Sequence, residues 1–229
     1  MKHILIIGGT RGIGASIVSK LQEDHKLFIA SRTNDSLSHP NVVHVPFDAT
    51  KDDLNTSNLP ESLNGFIYCP GSINLKPFKM MDLDTFESDM QVNFFSLVKV
   101  VKAIIPRMSD SSSMVFFSTI AVGTGMPFHT SVAAAKGAVE GFAKSMAAEY
   151  APKIRINVIA PSLVNTPLAG RLLNNDKKKE AMGDRHPLKR VGEAHDIAHI
   201  ATFLLSEQSS WITGQIIGVD GGLSTLNIN

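Results

Sequence analysis

The sequence predicts a doubly wound α/β domain whose centre is a seven-stranded parallel sheet. Short apolar runs alternate with longer helical stretches along the chain, which is typical of strands joined by crossover helices. The 229 residues, 43% of them hydrophobic, are enough for one substantial core, so we expect a single domain over 1–229. The predicted strands are 4–7, 27–30, 42–45, 65–69, 114–117, 154–159 and 216–219.

Four helical stretches are predicted between these strands, at 13–23, 84–108, 133–150 and 196–205. The second is unusually long, and we expect it to stop near Pro106, because proline cannot continue a helix. Seven strands with helical crossovers predict an open sheet of the Rossmann type.

Composition excludes several classes of protein. The net charge of +1 gives no electrostatic footprint for nucleic acid or for an anionic membrane. Cys69 is the only cysteine, which excludes an internal disulfide and fits a reducing compartment. No apolar run approaches the roughly 18–20 residues of a membrane span, and the run after Met1 stops at Gly8, too early for a signal peptide. We therefore expect a cytoplasmic protein that binds a small molecule and no metal.

A glycine-rich turn, reading GGTRGIG, follows the first predicted strand directly and opens the first predicted helix. Glycine in this position permits a tight turn, close approach of a pyrophosphate and close packing of helix on strand. The helix N-terminus adds free N–H groups and a positive dipole end. The predicted phosphate-binding residues are Gly8, Thr10, Arg11, Gly12, Ile13 and Gly14.

The end of the second strand indicates which dinucleotide is bound. A carboxylate there would bond the ribose hydroxyls of NAD, whereas a basic residue accommodates the phosphate of NADP. The chain reads Ser31, Arg32 and Thr33 at this point, with no acidic residue until Asp35. Arg11 could provide a second guanidinium for the same phosphate. The sequence thus predicts NADP(H); the alternative is that both arginines are ordinary surface charges.

These motifs resemble those of the short-chain dehydrogenase/reductase family, and the resemblance covers the whole chain. The resemblance rests on the Gly8-x-x-x-Gly12-x-Gly14 spacing, the helix residue Asn93, Lys136, the 161–167 segment and the 212–222 ending. The resemblance implies hydride transfer between a nicotinamide and a carbonyl or carbinol carbon. It also implies a homodimer or homotetramer built on the long helices 84–108 and 133–150. Further cofactor contacts implied by it are Asp48 for adenine, Lys136 for the ribose, and Gly71, Pro161, Val164 and Thr166 near the nicotinamide.

The family's active site is a Tyr-x-x-x-Lys pair with a hydroxyl residue thirteen positions before the tyrosine. By this resemblance Lys136 and Asn93 match, and the hydroxyl position falls on Thr119, with Ser118 adjacent. The tyrosine position, however, is Val132, which cannot donate a proton. The sequence therefore predicts the fold of a reductase and, in the same segment, a non-standard proton donor.

His129 is the candidate replacement, because it lies seven residues before Lys136. That spacing is similar to the Tyr-x6-Lys arrangement of the enoyl-ACP reductases in the same superfamily. Imidazole titrates near pH 6.5 and is a competent general acid. The alternative is a loop histidine at the rim of the cleft. The only tyrosines, Tyr68 and Tyr150, lie outside this segment.

Thr130 and Ser131 precede the predicted helix 133–150, where an N-cap is expected. We interpret Ser131 mainly as this cap, the alternative being a hydroxyl that faces the cleft.

The segment 165–193 follows the carboxyl end of a strand, where open α/β sheets bind ligands, so we predict a substrate lid. The alternative is a surface loop with one solvated helix. Apolar residues in and near this segment suggest a small apolar or acyl substrate, although they could equally be packing residues. They are Leu168, Leu172, Leu173, Met182, Met126 and Phe128.

Two functions fit the sequence. The first is an NADP(H)-dependent oxidoreductase of the short-chain type that acts on a carbonyl, hydroxyl or enone, with its tyrosine replaced. The second is a non-catalytic NADP(H)-binding regulatory or structural protein, which Val132 and the altered Tyr68–Gly71 segment would favour.

Overall fold

A computed structural model describes residues 1–34 and 37–227, so Asp35 lies outside the described residues. Within them the strands are Lys2–Ile7 (β1), His25–Ser31 (β2), Val42–Pro46 (β3), Leu63–Tyr68 (β4), Met108–Phe117 (β5), Ile154–Pro161 (β6), Val164–Asn165 (β7), Gly192–Glu193 (β8) and Ile216–Val219 (β9). The α-helices are Gly12–Leu21 (α1), Leu83–Met90 (α2), Ser96–Ile104 (α3), Ala121–Thr124 (α4), Thr130–Tyr150 (α5), Asp176–Asp184 (α6) and Ala194–Leu205 (α7).

The predicted doubly wound sheet is confirmed. Over the described residues, seven parallel strands lie in the order β3-β2-β1-β4-β5-β6-β9. The chain moves outward from β1 to β3 and then returns to place β4 on the other side of β1. The crevice beyond the carboxyl ends of β1 and β4 is therefore the topological switch point, where such sheets bind ligands.

Two apolar layers cover the sheet because both of its faces are buried. Successive side chains of a strand point to opposite faces, so Leu5 and Ile7 of β1 join one cluster while Ile4 and Ile6 join the other. Helices α3 and α5 pack on the first face, and α1 and α7 pack on the second. This is why the strands read as continuous apolar runs rather than as alternating ones.

The predicted helical stretch 84–108 is helical from Leu83 to Arg107, although it is not α-helical throughout. A π-helical turn, Gln91–Phe95, separates α2 from α3, and a 3₁₀ turn, Ile105–Arg107, ends the helical stretch. The chain then enters β5 at Met108, six residues earlier than predicted. Pro106 explains the end, since it offers no N–H to continue the helix. The π turn contains the buried Asn93, and such turns are frequent at functional sites.

The predicted lid segment holds α6 and is closed at its base by the parallel pair β7 and β8. Among the described residues, the helices include none long and apolar enough to cross a membrane.

Candidate active site

A cavity of about 790 Å³ opens at the carboxyl ends of the central strands. Most of the residues predicted for a site line it together with Val132: Gly8, Arg11, Gly12, Ile13, Gly14, Arg32, Gly71, Ser118, Thr119, His129, Lys136, Pro161, Val164 and Thr166. Four predicted residues do not line it: Thr10, Ser31, Asp48 and Asn93.

The glycine-rich turn has the geometry that a pyrophosphate requires. Gly8 and Gly12 adopt φ values of +81° and +54°, which side chains disfavour. A Cβ on Gly14 would lie 2.2 Å from the Gly8 carbonyl oxygen, so only glycine lets α1 start this close to β1. The first turn of α1 carries no side-chain cap, which leaves its N–H groups for an anion. The turn therefore fits a dinucleotide.

Arg32 is exposed and lines the cavity at the end of β2. Ser31 beside it is buried, and its hydroxyl donates to the Thr33 carbonyl at 2.7 Å. Asp48 accepts hydrogen bonds within its own turn from the Thr50 hydroxyl at 2.7 Å and the Thr50 amide at 3.0 Å. Of these residues, Arg32 alone presents a charge to the cavity wall.

The Lys136 side chain is buried, and its Nζ donates to the Phe117 carbonyl oxygen at 2.9 Å. Burial lowers the pKa of this ammonium from 10.5 to about 8, and the Asp89 carboxylate partly opposes that shift. Lys136 is therefore a cation that loses its charge just above neutral pH.

Asn93 places an unpaired acceptor beside this lysine. Its Nδ2 donates to the Asp89 carbonyl and to Ser72 Oγ, both at 2.8 Å, whereas its buried Oδ1 has no partner among the described residues. A Cβ on Gly71 would lie 3.4 Å from this Oδ1 and 3.5 Å from Lys136 Nζ. The acceptor and the ammonium thus converge on the open space at Gly71, an arrangement that fits a ligand hydroxyl.

Val132 lines the cavity one helical turn before Lys136, and its isopropyl group carries no proton for the chemistry. Neither tyrosine replaces it. Tyr68 is buried and donates its hydroxyl to the Val92 carbonyl at 2.8 Å, and burial raises its pKa. Tyr150 ends α5, about 27 Å along the helix axis from Val132 at 1.5 Å per residue.

The three predicted proton-bearing residues of the cavity differ in whether a hydrogen bond already uses their proton. Ser118 donates to Glu140 Oε1 at 2.5 Å. Thr119 Oγ1 accepts from the Ala121 amide at 3.3 Å, which does not use its hydroxyl proton. His129 precedes α5, and its Nδ1 lies 2.8 Å from the Pro127 carbonyl, so in the neutral ring Nδ1 carries the hydrogen.

The interpretation of Ser131 as an N-cap is wrong. Helix α5 begins at Thr130, three residues before the predicted start at 133, and no side chain caps it. Ser131 is buried within the first turn and donates to Asp89 Oδ2 at 2.6 Å. A nearby carboxylate is the stronger acceptor, so this hydroxyl turns into the protein.

Asp89 is a site residue that sequence reasoning missed. It is fully buried, and besides Ser131 it accepts from Ser72 Oγ at 2.5 Å and Asn74 Nδ2 at 2.7 Å. Its only sequence signal is a position four residues before Asn93, on the same helix face. Ser72 also lines the cavity, directly after Gly71.

A second pair that was missed joins the predicted lid to the sheet. Ser162 Oγ lies 2.9 Å from His186 Nε2, and His186 Nδ1 lies 2.9 Å from the Met182 carbonyl. Both Ser162 and His186 line the cavity.

The apolar wall of the cavity includes five of the predicted substrate-contacting residues, Leu168, Leu172, Met182, Met126 and Phe128.

Comparison with known proteins places this geometry in context. A family model described as enoyl-(acyl carrier protein) reductase matches residues 8–224. A 3-oxoacyl-(acyl-carrier-protein) reductase FabG from Chlamydia muridarum is 32% identical, over 97% of this chain and 97% of its own. A tropinone reductase homolog from Datura stramonium is 31% identical, over 95% of this chain and 90% of its own. A crystal structure of a short chain dehydrogenase family protein from Francisella tularensis superposes with a TM-score of 0.91 and 26% identity, covering 99% of this chain and 100% of that one.

Substitution of Gly71 by alanine tests the polar space between Asn93 and Lys136. The added methyl would make ordinary contacts of 3.4 and 3.5 Å, so we expect a melting temperature within about 2 °C of the parent. We expect NADPH affinity to fall about tenfold or more, because the methyl occupies the space of a ligand hydroxyl. Thermal melts and a fluorescence titration with NADPH measure both. An unchanged affinity would show that the ligand does not enter this space.

Proposed function

Because this chain belongs to the short-chain dehydrogenase/reductase family, we propose that it is an NADP(H)-dependent oxidoreductase that moves a hydride to or from a carbonyl, hydroxyl or enone group. The observation that carries this proposal is the convergence of Lys136 Nζ and Asn93 Oδ1 on Gly71, a residue that lines the same cavity as Lys136 and the glycine-rich turn.

The nicotinamide dinucleotide supplies the hydride chemistry when bound, and this chain's residues hold it. The turn Gly8 to Gly14 binds the pyrophosphate through backbone N–H groups. Arg32 and Arg11 bind the additional phosphate of NADP(H). Lys136 binds the nicotinamide ribose, and Asn93 stands beside this lysine at Gly71. The remaining predicted contacts, for the nicotinamide and the adenine, are Pro161, Val164, Thr166 and Asp48.

The substrate is a small apolar or acyl molecule held beneath segment 165–193. Leu168, Leu172 and Met182 of this segment line the cavity and supply apolar contact area. Thr119 orients and polarises the substrate oxygen, and a protic group other than tyrosine completes the proton transfer. We propose that the protein works in the cytoplasm as a homodimer or homotetramer.

A non-catalytic NADP(H)-binding regulatory or structural role is the second candidate, and Val132 favours it because the residue has no proton to give. NADPH oxidation by the purified protein, assayed against ketones, β-ketoacyl thioesters, enones and quinones, separates the two. Turnover supports the oxidoreductase. NADPH binding without turnover across the whole panel would move the assignment to the second role.

Arg32→Asp tests the choice of cofactor. Charge-assisted hydrogen bonds contribute about 1.5–3 kcal/mol, so we expect NADPH to bind about 10–100-fold more weakly while NADH binds at least as well as before. Lys20→Asp, the same charge reversal on the exposed side of α1, is the matched control and should change neither affinity. Calorimetric titration with both dinucleotides measures the ratio, and equal losses for NADPH and NADH would exclude a phosphate-specific contact.

Val132→Tyr tests the missing proton donor. A general acid contributes about 10²–10⁴ in rate, so we expect carbonyl reduction to rise by about 10² in this variant. Val132→Phe fills the same space without a hydroxyl and should give no gain. Steady-state kcat with NADPH in excess is the measurement. A Val132→Tyr protein that binds NADPH without any gain would show that the site is not arranged for that mechanism.

The low pKa of Lys136 predicts a pH dependence of cofactor binding. Because burial sets the folded-state pKa at about 8, the ammonium is present below that pH and lost above it. We expect NADPH affinity to decline as the pH rises through about 8, and Lys136→Met to bind weakly with no such decline. Titrations between pH 6 and 10 check both. A wild-type affinity that stays constant to pH 10 would contradict the assigned role.

A further inference from the structure

The Asp89 carboxylate is fully buried, and the side chains that donate hydrogen bonds to it are neutral. These donors are Ser72, Asn74 and Ser131. The Lys136 ammonium acts on this carboxylate electrostatically, without a hydrogen bond between them among the described residues. A carboxylate buried in this way costs free energy that an apolar residue would not.

A hydrogen-bonded chain links this carboxylate to the cavity. Asn93 Nδ2 donates to Ser72 Oγ at 2.8 Å, and Ser72 Oγ donates to Asp89 Oδ1 at 2.5 Å. A serine hydroxyl has one hydrogen and two lone pairs. Asp89 takes the hydrogen and Asn93 occupies one lone pair, which leaves the second lone pair of Ser72 to accept from a ligand hydroxyl.

This hydrogen-bonded chain lies next to Val132, the position of the missing tyrosine. Ser72 adjoins Gly71, the point on which Asn93 Oδ1 and Lys136 Nζ converge. On the other side of the carboxylate, Ser131 adjoins Val132. Asp89 is therefore hydrogen-bonded both to the residue that precedes Val132 and to Ser72, which lines the cavity together with Val132.

We propose that Ser72 and Asp89 form the proton relay that replaces the tyrosine, with Ser72 as the catalytic hydroxyl and Asp89 acting through it. The proposal rests on the oxidoreductase function above. When an alcohol is oxidised, its O–H proton passes to Ser72 Oγ while the Ser72 proton passes to Asp89 Oδ1. The carbinol C–H bond breaks with its electron pair going to NADP⁺, which leaves a carbonyl, NADPH and a protonated Asp89. Reduction is the reverse, with Asp89 supplying the proton.

Two other protic groups compete for this role, and both are weaker on geometry. Ser118 has a carboxylate partner, but Glu140 is only half-buried and no hydrogen bond links the pair to Asn93 among the described residues. His129 lies before the first turn of α5, with its Nδ1 hydrogen held by the Pro127 carbonyl. Neither is joined to the polar atoms that converge at Gly71.

Ser72→Ala and Asp89→Asn test the relay, with Glu87→Gln as the matched control for the loss of a carboxylate on the same helix. Glu87 is exposed on α2, so its variant should turn over at the wild-type rate. We expect each relay variant to lower kcat about 100-fold or more while the NADPH dissociation constant stays within about threefold.

The same substitutions in a Val132→Tyr background separate a relay from a structural role. If tyrosine supplies the proton there, Ser72→Ala should lower kcat by less than about threefold. If Ser72 has a purely structural role, the substitution should lower kcat equally in both backgrounds, and that result would overturn the proposal.

A second measurement needs neither cofactor nor turnover. In protein labelled with carboxyl-¹³C aspartate, the signal that Asp89→Asn removes is that of Asp89. Ser72→Ala should shift this signal, because it removes the shortest hydrogen bond to Oδ1. No shift would overturn the contact on which the relay depends.

The outcomes for the relay and for the enzyme differ. Wild-type turnover that survives in Ser72→Ala overturns the relay alone, and a loss confined to His129→Ala or Ser118→Ala would assign the proton to those residues. No turnover by the wild type with any substrate overturns the oxidoreductase function and the relay with it. If Asp89→Asn fails to fold, Ser72→Ala decides the question.

Discussion

The site depends on a contact between two pieces of backbone. Helix α1 can begin at the end of β1 only because Gly14 has no side chain, since a Cβ there would lie 2.2 Å from the Gly8 carbonyl. This close start aims the first N–H groups of α1 into the crevice between β1 and β4. Lys136 of α5 reaches the same crevice from the opposite face of the sheet, and Asn93 of the π turn lies beside it. The cavity is therefore where the two helical layers meet over the switch point.

Asp89 connects the segments that form the Lys136 side of this crevice. Its hydrogen bonds join α2, the loop after β4 and the first turn of α5, three segments that are far apart along the chain. The π turn follows directly, and Asn93 within it bonds back to the Asp89 carbonyl. Asp89 thus holds Asn93 through its backbone carbonyl and the Ser72 hydroxyl through its carboxylate.

Apolar runs made the sheet predictable, because strands buried on both faces leave a strong local signal, as at 4–7 and 114–117. The extent of the long helical stretch was predictable too, but its π turn was not, because the signal for helix continues through residues 91–95. The placement of Lys136, Thr119 and Gly12 on one cavity followed from their motifs. Asp89 and the bond from Ser131 could not be predicted in this way, because each depends on a partner more than forty residues distant or on a loop without a motif.

In the family, the lysine and the tyrosine together bind the ribose and transfer the proton. Because this chain has Val132 in place of the tyrosine, we propose that separate residues perform these two tasks. In the resembling enzymes the lysine both binds the ribose and lowers the pKa of the tyrosine. Without the tyrosine, the role proposed for Lys136 is ribose binding alone, and burial lowers the pKa of its ammonium to about 8. The proposed proton route runs instead from Ser72 into the protein, to a carboxylate closed off from solvent. Under these two proposals, cofactor binding and proton transfer depend on different groups, Lys136 for the one and Ser72 with Asp89 for the other.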